Sequence, residues 1–373
     1  MLKKIAIIGS NGFIGKNLLL FFKSSGTKNL FYEINKNTPR EKFIEIIKIC
    51  DIIINCAGVN RSKSKKNFEN NYKICELIIN NLKNPKTIKI IHISTTRFND
   101  KNLYGITKKK AEKKLRSFKK PNVFIKIIRC PNVYGKWSKP NYNSVIATFC
   151  HNIIRKKKIK LFNENDKISL LYIDDLCKII LDEINRNKKN NNLIKIDKKF
   201  ITTTTPKLIL EKLLLFQKNR HNKFIPEFND VLTKNLYSTF LTFLPKSKFV
   251  YPIKKMTDRR GDFVEFIKSN NFGQVSFIKI NSKSIRGNHY HMSKVEKFLL
   301  LNGKCKFEFK NMKNKLEKIN FIIDSNKSEI VETIPGWLHS LKNLSNYPIY
   351  LIIWANEIFD KKKTDTYQET RVN

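Results

Sequence analysis

Four residues in the last third of the chain have the types and spacing of a metal site: His289-x-His291-x4-Glu296, with His339 following in Pro335-Gly336-Trp-Leu-His339. Histidines at i and i+2 of a strand send two imidazoles to one face. Glu296, on the next strand, adds a carboxylate, and His339 adds a third imidazole from a distant strand. Such a nitrogen and oxygen set suits Zn, Mn, Fe or Ni, and zinc is the first expectation. Three of the six histidines fall in this constellation. The competing reading makes His289 and His291 ordinary polar strand residues.

A second constellation lies at the opposite end. Gly9-Ser-Asn11-Gly12-Phe13-Ile14-Gly15 follows the first apolar run and opens a helical pattern. Glycines at these spacings permit a tight turn, close approach of backbone N–H groups to a pyrophosphate, and packing of helix on strand. Glu33, ending the second strand, is placed to bond a ribose 2′-hydroxyl and so favour NADH, whereas Lys36 and Arg40 suit the 2′-phosphate of NADPH. Both cofactors stay open, and Glu33 is equally readable as a surface residue. Ala57 and Gly58, after a third strand, should touch the cofactor, with Asn60 and Arg61 beyond them toward a substrate.

Tyr104-Gly-Ile-Thr-Lys108 sets a phenol and an ammonium one helical turn apart. The ammonium is expected to lower the phenol's pKa, so that Tyr104 hands a proton to a carbonyl as hydride arrives. Just upstream, Ser94, Thr95 and Thr96 offer hydroxyls for the same oxygen, and His92 reads as a packed strand residue.

These groups must be positioned by two kinds of architecture. Strands at Lys4–Ile8, Leu30–Glu33, Ile52–Asn55, Ile88–Ser94 and Val123–Arg129 alternate with helical stretches at Ile14–Ser24, Arg40–Lys48, Phe68–Leu82 and Tyr104–Lys119. The alternation predicts an α/β domain, a Rossmann-like doubly wound parallel sheet buried on both faces. Asn185–Asn192 reads as a solvated loop, Pro206–Leu244 as helical, and Pro245–Pro252 as the join. Beyond it, short runs such as Gln274–Ile280, Lys304–Phe309 and Ile349–Trp354 predict an all-β jelly roll. The expected domains are therefore 1–245 and 250–373.

A formal net charge of +43 on 373 residues raises nucleic acid as a partner. The lysines are spread along the chain among Asn and Ile, with no basic helix and no zinc-finger spacing, so nucleic-acid binding is not expected. No apolar run approaches the ~18 residues of a membrane span, so no membrane insertion is expected. Seven cysteines without a CxxC pair fit reduced thiols and a cytoplasmic protein.

The glycine loop, the strand-end hydroxyls and Tyr104-x3-Lys108, in that order, resemble the extended short-chain dehydrogenase/reductase family. That resemblance implies Tyr104 as acid/base, Lys108 as its activator and a cofactor ligand, and Thr95 as hydroxyl partner, with Ser94 and Thr96 as competitors. Arg129-Cys-Pro-Asn132-Val-Tyr-Gly135 resembles the stretch with which such reductases approach a nucleotide-sugar. It implies substrate contacts from Arg129 and Asn132, although Arg61 and Arg129 are also readable as structural ion pairs. The histidine boxes resemble those of the cupin superfamily. Over essentially the whole chain, the order of domains and motifs such as Arg286-Gly-Asn-His-Tyr-His291 and Trp354-Ala-Asn-Glu-Ile-Phe-Asp360 resembles the CapF-type enzymes of capsular polysaccharide synthesis. The resemblance implies C3 epimerisation of a UDP-2-acetamido-2,6-dideoxy-4-hexulose in the cupin and NADPH-dependent C4 reduction in the other domain. A homodimer is expected by analogy. A single-activity reductase, epimerase or dehydratase with a structural cupin, or a non-catalytic sensor of NAD and sugar-nucleotide, is the rival expectation.

Overall fold

Runs of β-branched residues, buried on both sides, form the first sheet. The computed structural model describes residues 2–82, 87–360, 362 and 364–368. Strands Lys4–Ile8 (β1), Leu30–Ile34 (β2), Ile52–Asn55 (β3), Ile88–Thr95 (β4) and Val123–Cys130 (β5) pair in parallel in the order β2-β1-β3-β4-β5. Alternation along β1 shows why the run is continuous. Ala6 and Ile8 join one apolar cluster with Ile53, Ile90 and Ile125, while Ile5 and Ile7 join a second with Ile54, Ile91 and Ile128. Helices Phe13–Ser24 (α1), Arg40–Ile49 (α2), Asn70–Asn80 (α3) and Leu103–Ser117 (α4) connect these strands. The chain leaves β1 for β2 on one side and returns to β3 on the other. The ends of β1 and β3 therefore flank the point where the order reverses, where open α/β sheets bind ligands.

Asn132–Tyr134 (β6), Ile168–Tyr172 (β7) and Ile201–Thr204 (β9) form a small separate sheet, and Asn192–Ile194 (β8) extends the large one beside β5. β8 begins where a solvated loop was expected, and that loop is tied down at two points. Asn191 Oδ1 accepts the Ile125 N–H at 2.7 Å, and Asn190 Oδ1 accepts the buried Lys126 ammonium at 2.6 Å. Val145–Ile154 (α5), Ile173–Asn185 (α6), Pro206–Asn222 (α7) and Val231–Leu241 (α8) complete the helices.

The chain divides into two compact units, Met1–Leu214 with Asp230–Leu244, and Leu215–Asn229 with Pro245–Asn373. The excursion of 215–229 into the second unit has a local cause. After α7, Ile225 N–H donates to Lys268 O at 2.9 Å, Lys268 N–H donates to Lys223 O at 2.9 Å, and Lys223 pairs with Glu265 at 3.3 Å.

From Pro245 onward the second unit is built of β-strands, as expected; residues 215–222 bring the end of α7 into it. Its strands are Met256–Asp258 (β10), Gly261–Ser269 (β11), Gly273–Ile280 (β12), Ile285–Tyr290 (β13), Glu296–Leu300 (β14), Lys304–Asn311 (β15), Lys318–Asp324 (β16), Ile330–Glu332 (β17), Trp337–Asn343 (β18), Ile349–Ala355 (β19) and Tyr367–Gln368 (β20). They form two sheets, β10-β11-β12-β19-β14-β17 and β16-β15-β18-β13-β20. Phe298, Leu300, Leu351 and Ile353 of the first sheet pack with Cys305, Phe307, Phe309 and Leu341 of the second to make one core. β13 and β18 are neighbours, and β14 opens the facing sheet. This arrangement decides where the histidine boxes meet.

Candidate functional site

In the first unit, three glycines close the loop after β1 because nothing larger fits. Gly9 has φ +86°, and a Cβ there would lie 2.9 Å from Ala57 N; a Cβ on Gly15 would lie 2.3 Å from Gly9 O. Gly12 caps α1 without a side-chain acceptor, so the helix's first N–H groups stay open to a ligand. Asn55 positions the facing loop: its Oδ1 accepts Ala57 N–H at 3.1 Å, and its Nδ2 lies 3.2 Å from the buried His92 ring. His92 is thereby a packed strand residue, and burial, with Lys108 nearby, holds its pKa well below the usual value.

These loops open on a cavity of about 1980 Å³. That is roughly twice the upper end of the volume usual for one drug-sized ligand, room for a dinucleotide and a second molecule. Gly9, Asn11, Gly12, Phe13, Ile14, Ala57, Gly58, Asn60, Arg61, Thr95, Tyr104, Lys108 and Asn132 all line it. Gly15 and Glu33 do not. Gly15 packs helix on loop, while Glu33 is exposed at the end of β2, and Lys36 and Arg40 line the cavity instead.

Of the three competing hydroxyls, Thr95 bonds the Tyr104 phenol. Ser94 is committed elsewhere, donating to Glu112 at 2.6 Å. Lys108, buried under Gly58, donates to Ile93 O at 2.8 Å. The expected depression of the phenol's pKa is therefore reversed by the packing around it. Burial raises the Tyr104 pKa despite the Thr95 hydrogen bond, and burial lowers that of Lys108.

Arg129 does not line the cavity. Its guanidinium forks onto Glu112, Nε to Oε1 at 3.0 Å and Nη2 to Oε2 at 2.6 Å, and lies 3.4 Å from the centre of the Phe98 ring. It makes the ion pair weighed above, away from the cavity lining where a substrate contact was expected. Asn132 donates to Ser169 O at 3.2 Å. Three residues here escaped the sequence reading. Glu112 buries its carboxylate under Ser94 and Arg129, one turn after Lys108. Asn71 accepts Val59 N–H at 2.7 Å and donates to Thr107 at 3.0 Å, joining the cofactor loop to α4. The Tyr142 hydroxyl accepts Asn60 N–H at 3.3 Å. Only the Lys108-x3-Glu112 spacing carried a signal.

In the second unit, His289 of β13 stands opposite His339 of β18 in the strand register, and Glu296 begins β14. The i, i+2 geometry is less simple than a flat strand. Gly287 and Asn288 have φ +83° and +63°, the register slips between Gly287 and His289, and His291 lies one residue past β13. The three rings nevertheless converge, with centroids 4.7 to 5.3 Å apart. One ligand atom from each of His289, His291, Glu296 and His339 lies within 4.8 Å of the others. Glu296 Oε2 is 3.4 Å from His291 Nε2 and 3.5 Å from His339 Nε2. Two ligands each about 2.1 Å from a tetrahedral zinc are roughly 3.4 Å apart, so the spacing fits a metal. The same two nitrogens are buried without a well-formed hydrogen bond among the described residues. Burial, with His339 beside it, lowers the His289 pKa to about 4, keeping the ring neutral as a ligand must be. The imidazoles of His291 and His339 outweigh the burial of Glu296 and hold its carboxyl below the usual range.

Comparison with known proteins followed the same division. Residues 5–196 match the family model of the NAD dependent epimerase/dehydratase family, and residues 256–367 match that of the polysaccharide biosynthesis C-terminal domain. A curated relative, UDP-2-acetamido-2,6-beta-L-arabino-hexul-4-ose reductase of Pseudomonas aeruginosa, is 35% identical over 369 residues, 98% of each chain. The crystal structure of the capsular polysaccharide assembling protein CapF from Staphylococcus aureus is similar with a TM-score of 0.87 and 33% identity, covering 98% of this chain and 99% of that one. A structure of CapF with the inhibitor 3-isopropenyl-tropolone is similar with a TM-score of 0.80 and 31% identity over the same shares.

Proposed function

The chain belongs to the CapF-type family, an NAD-dependent epimerase/dehydratase domain followed by a polysaccharide biosynthesis C-terminal domain, and on that premise we propose that it is a bifunctional nucleotide-sugar enzyme. Its substrate is a UDP-2-acetamido-2,6-dideoxy-4-hexulose. The second unit inverts C3, and the first unit reduces the C4 ketone with NADPH to the UDP-2-acetamido-2,6-dideoxy-L-talose derivative, on the route to UDP-N-acetyl-L-fucosamine. The observation that carries this reading is that each unit holds its own site: Tyr104 bonded to Thr95 in a cavity large enough for cofactor and sugar, and the His289, His291, Glu296, His339 set in the other.

Bound NADPH supplies the hydride. Lys36 and Arg40 on the cavity wall favour NADPH over NADH, since cations there suit a 2′-phosphate and Glu33 stands aside. Tyr104 delivers the proton to the C4 oxygen, and its burial keeps the phenol in the protonated form that reduction uses. Thr95 bonds the phenol and orients it. Lys108 brings the positive charge of the site, and Gly58 leaves space beside its ammonium. Asn60, Arg61 and Asn132 are assigned to the sugar-nucleotide side of the cavity.

A divalent ion, zinc by preference, would be held by His289, His291, Glu296 and His339 and would supply Lewis acidity for a proton removed next to a ketone. Lys294 and Tyr290 remain the candidates for the group that takes the C3 proton. Lys294 is buried with its ammonium donating to Thr366 at 3.0 Å, and the Tyr290 ring stacks on Tyr367.

A cytoplasmic site of action goes with seven cysteines, six of them buried, and no helix among the described residues is long and apolar enough to cross a membrane. A homodimer is proposed by analogy with the family alone; sedimentation of the purified chain tests it. The decisive experiment for the activity supplies the UDP-4-keto-6-deoxy sugar and NADPH in deuterated water. Solvent deuterium at C3 and a reduced C4 in the product are expected. Reduction without C3 deuterium would leave a single-activity reductase with a structural cupin.

A further inference from the structure

His291 has a second nitrogen, and where it points decides what the first can do. Its Nδ1 meets the main-chain carbonyl of Asp365. A carbonyl oxygen only accepts, so Nδ1 carries the hydrogen. The Nε2 lone pair is thereby directed to the buried side where Glu296 and His339 converge. A carbonyl behind a histidine is the usual way a ligand's ring orientation and tautomer are held. Here the carbonyl comes from a segment more than seventy residues downstream.

That segment grips the same loop in three further ways. The Asp365 carboxylate collects three consecutive backbone N–H groups, Met292 at 2.8 Å, Ser293 at 2.7 Å and Lys294 at 2.7 Å, together with the Ser293 hydroxyl at 2.9 Å. Thr366 accepts the Lys294 ammonium at 3.0 Å. Tyr367 and Gln368 pair with Tyr290 and His289 as β20 on β13. The 292–294 loop makes up all but Val295 of the connection between His291 and the strand that Glu296 begins, so its shape helps set the separation of two members of the cluster. Three successive N–H groups turned toward one carboxylate make an anion nest. With that carboxylate gone, the three N–H groups return to water, and the turn is held only at its edges, by Lys294 on Thr366 and by Val295 on Asn356.

We infer that residues 364–368 form a strap that fixes the His291 ring and the 292–294 loop in the metal-ligating arrangement, with Asp365 as its positioning residue. The inference rests on the metal reading of the four-residue cluster. It predicts reciprocity, because a strap that favours the metal-ready loop must itself be favoured by the metal.

The test measures zinc affinity of the full chain by competition with a chromophoric chelator, for wild type, Asp365→Ala and Asp365→Asn. It adds amide hydrogen exchange at Met292, Ser293 and Lys294 with and without zinc. Asp365→Ala is expected to weaken zinc about 10- to 100-fold, the range for loss of a group that supports a ligand. Asp365→Asn, which keeps one acceptor oxygen and the volume, is expected to fall between. Zinc should slow exchange of the three amides in wild type and fail to do so in Asp365→Ala, while all three zinc-free proteins unfold in one cooperative transition. Wild-type zinc affinity in Asp365→Ala would overturn the inference. If that variant does not fold, Asp365→Asn decides, and wild-type affinity there would overturn it equally. Zinc that fails to bind wild type would overturn the metal reading and the strap's role together.

Discussion

The two sites differ in how completely their polar groups are partnered. At the reductase cavity, Lys108 donates to Ile93 O, Thr95 bonds Tyr104 and Ser94 donates to Glu112, whose carboxylate, behind the cavity wall, also receives the fork of Arg129. In the histidine cluster, His291 Nε2 and both nitrogens of His339 are buried without a well-formed hydrogen bond among the described residues. Buried polar atoms left in that state cost about 1–3 kcal/mol each. The first site is organised by the protein alone, and its ligands enter prepared space. The second leaves buried imidazole lone pairs unpartnered at its centre, which is what the metal reading proposed above would use.

The largest expected effect tests the self-contained site. Tyr104→Phe should lower NADPH oxidation by roughly 10²–10⁴-fold while C3 deuterium exchange continues; loss of both activities together would break the separation. His339→Ala comes next. It should weaken zinc by at least about a hundredfold, more than loss of a supporting group does, and abolish C3 exchange with hydride transfer to a pre-epimerised substrate retained. If C3 exchange persists, the cluster is structural.

Arg129→Ala should act on stability instead of on substrate. Leaving the buried Glu112 without its fork should cost about 2 kcal/mol, below the 3–5 kcal/mol of a fully buried pair because the arginine is partly exposed. Denaturant unfolding measures it, and a raised KM at unchanged stability would return Arg129 to the substrate. Lys36→Ala combined with Arg40→Ala should shift the ratio of NADPH to NADH specificity by roughly tenfold, the worth of one charge-assisted hydrogen bond. The smallest effect is one of pH. With the Tyr104 pKa raised by burial, the acid form that reduction uses persists past the ordinary phenol range. The reduction rate should therefore stay flat through about pH 10, where an ordinary phenol would already be half ionised; a fall through pH 7–8 would show that bound cofactor and Lys108 lower that pKa.

Much of the architecture was legible because local rules govern it. Isoleucine-rich strands alternating with amphipathic helices require a covered parallel sheet, and a glycine loop after the first strand requires a helix N-terminus at its end. The four members of the histidine cluster were legible for a related reason. Chemistry needs imidazoles there, and the remainder of the chain offers only three other histidines. The division of the chain was less so. Residues 215–229 join the second unit through main-chain hydrogen bonds from Lys223 and Ile225 to Lys268, and backbone pairing leaves little trace in side-chain type.

The sequence by itself determined the two folds, the order of domains and the residue types able to carry the chemistry, since periodicity and spacing act over a few residues. Tertiary structure alone decided which hydroxyl meets Tyr104, that Arg129 belongs to Glu112, that Lys36 and Arg40 rather than Glu33 face the cavity, and that Asp365 reaches back to His291. Each of those choices joins residues distant in the chain or turns on which way a side chain leaves its strand or helix. Both are set by packing, after the local pattern has had its say.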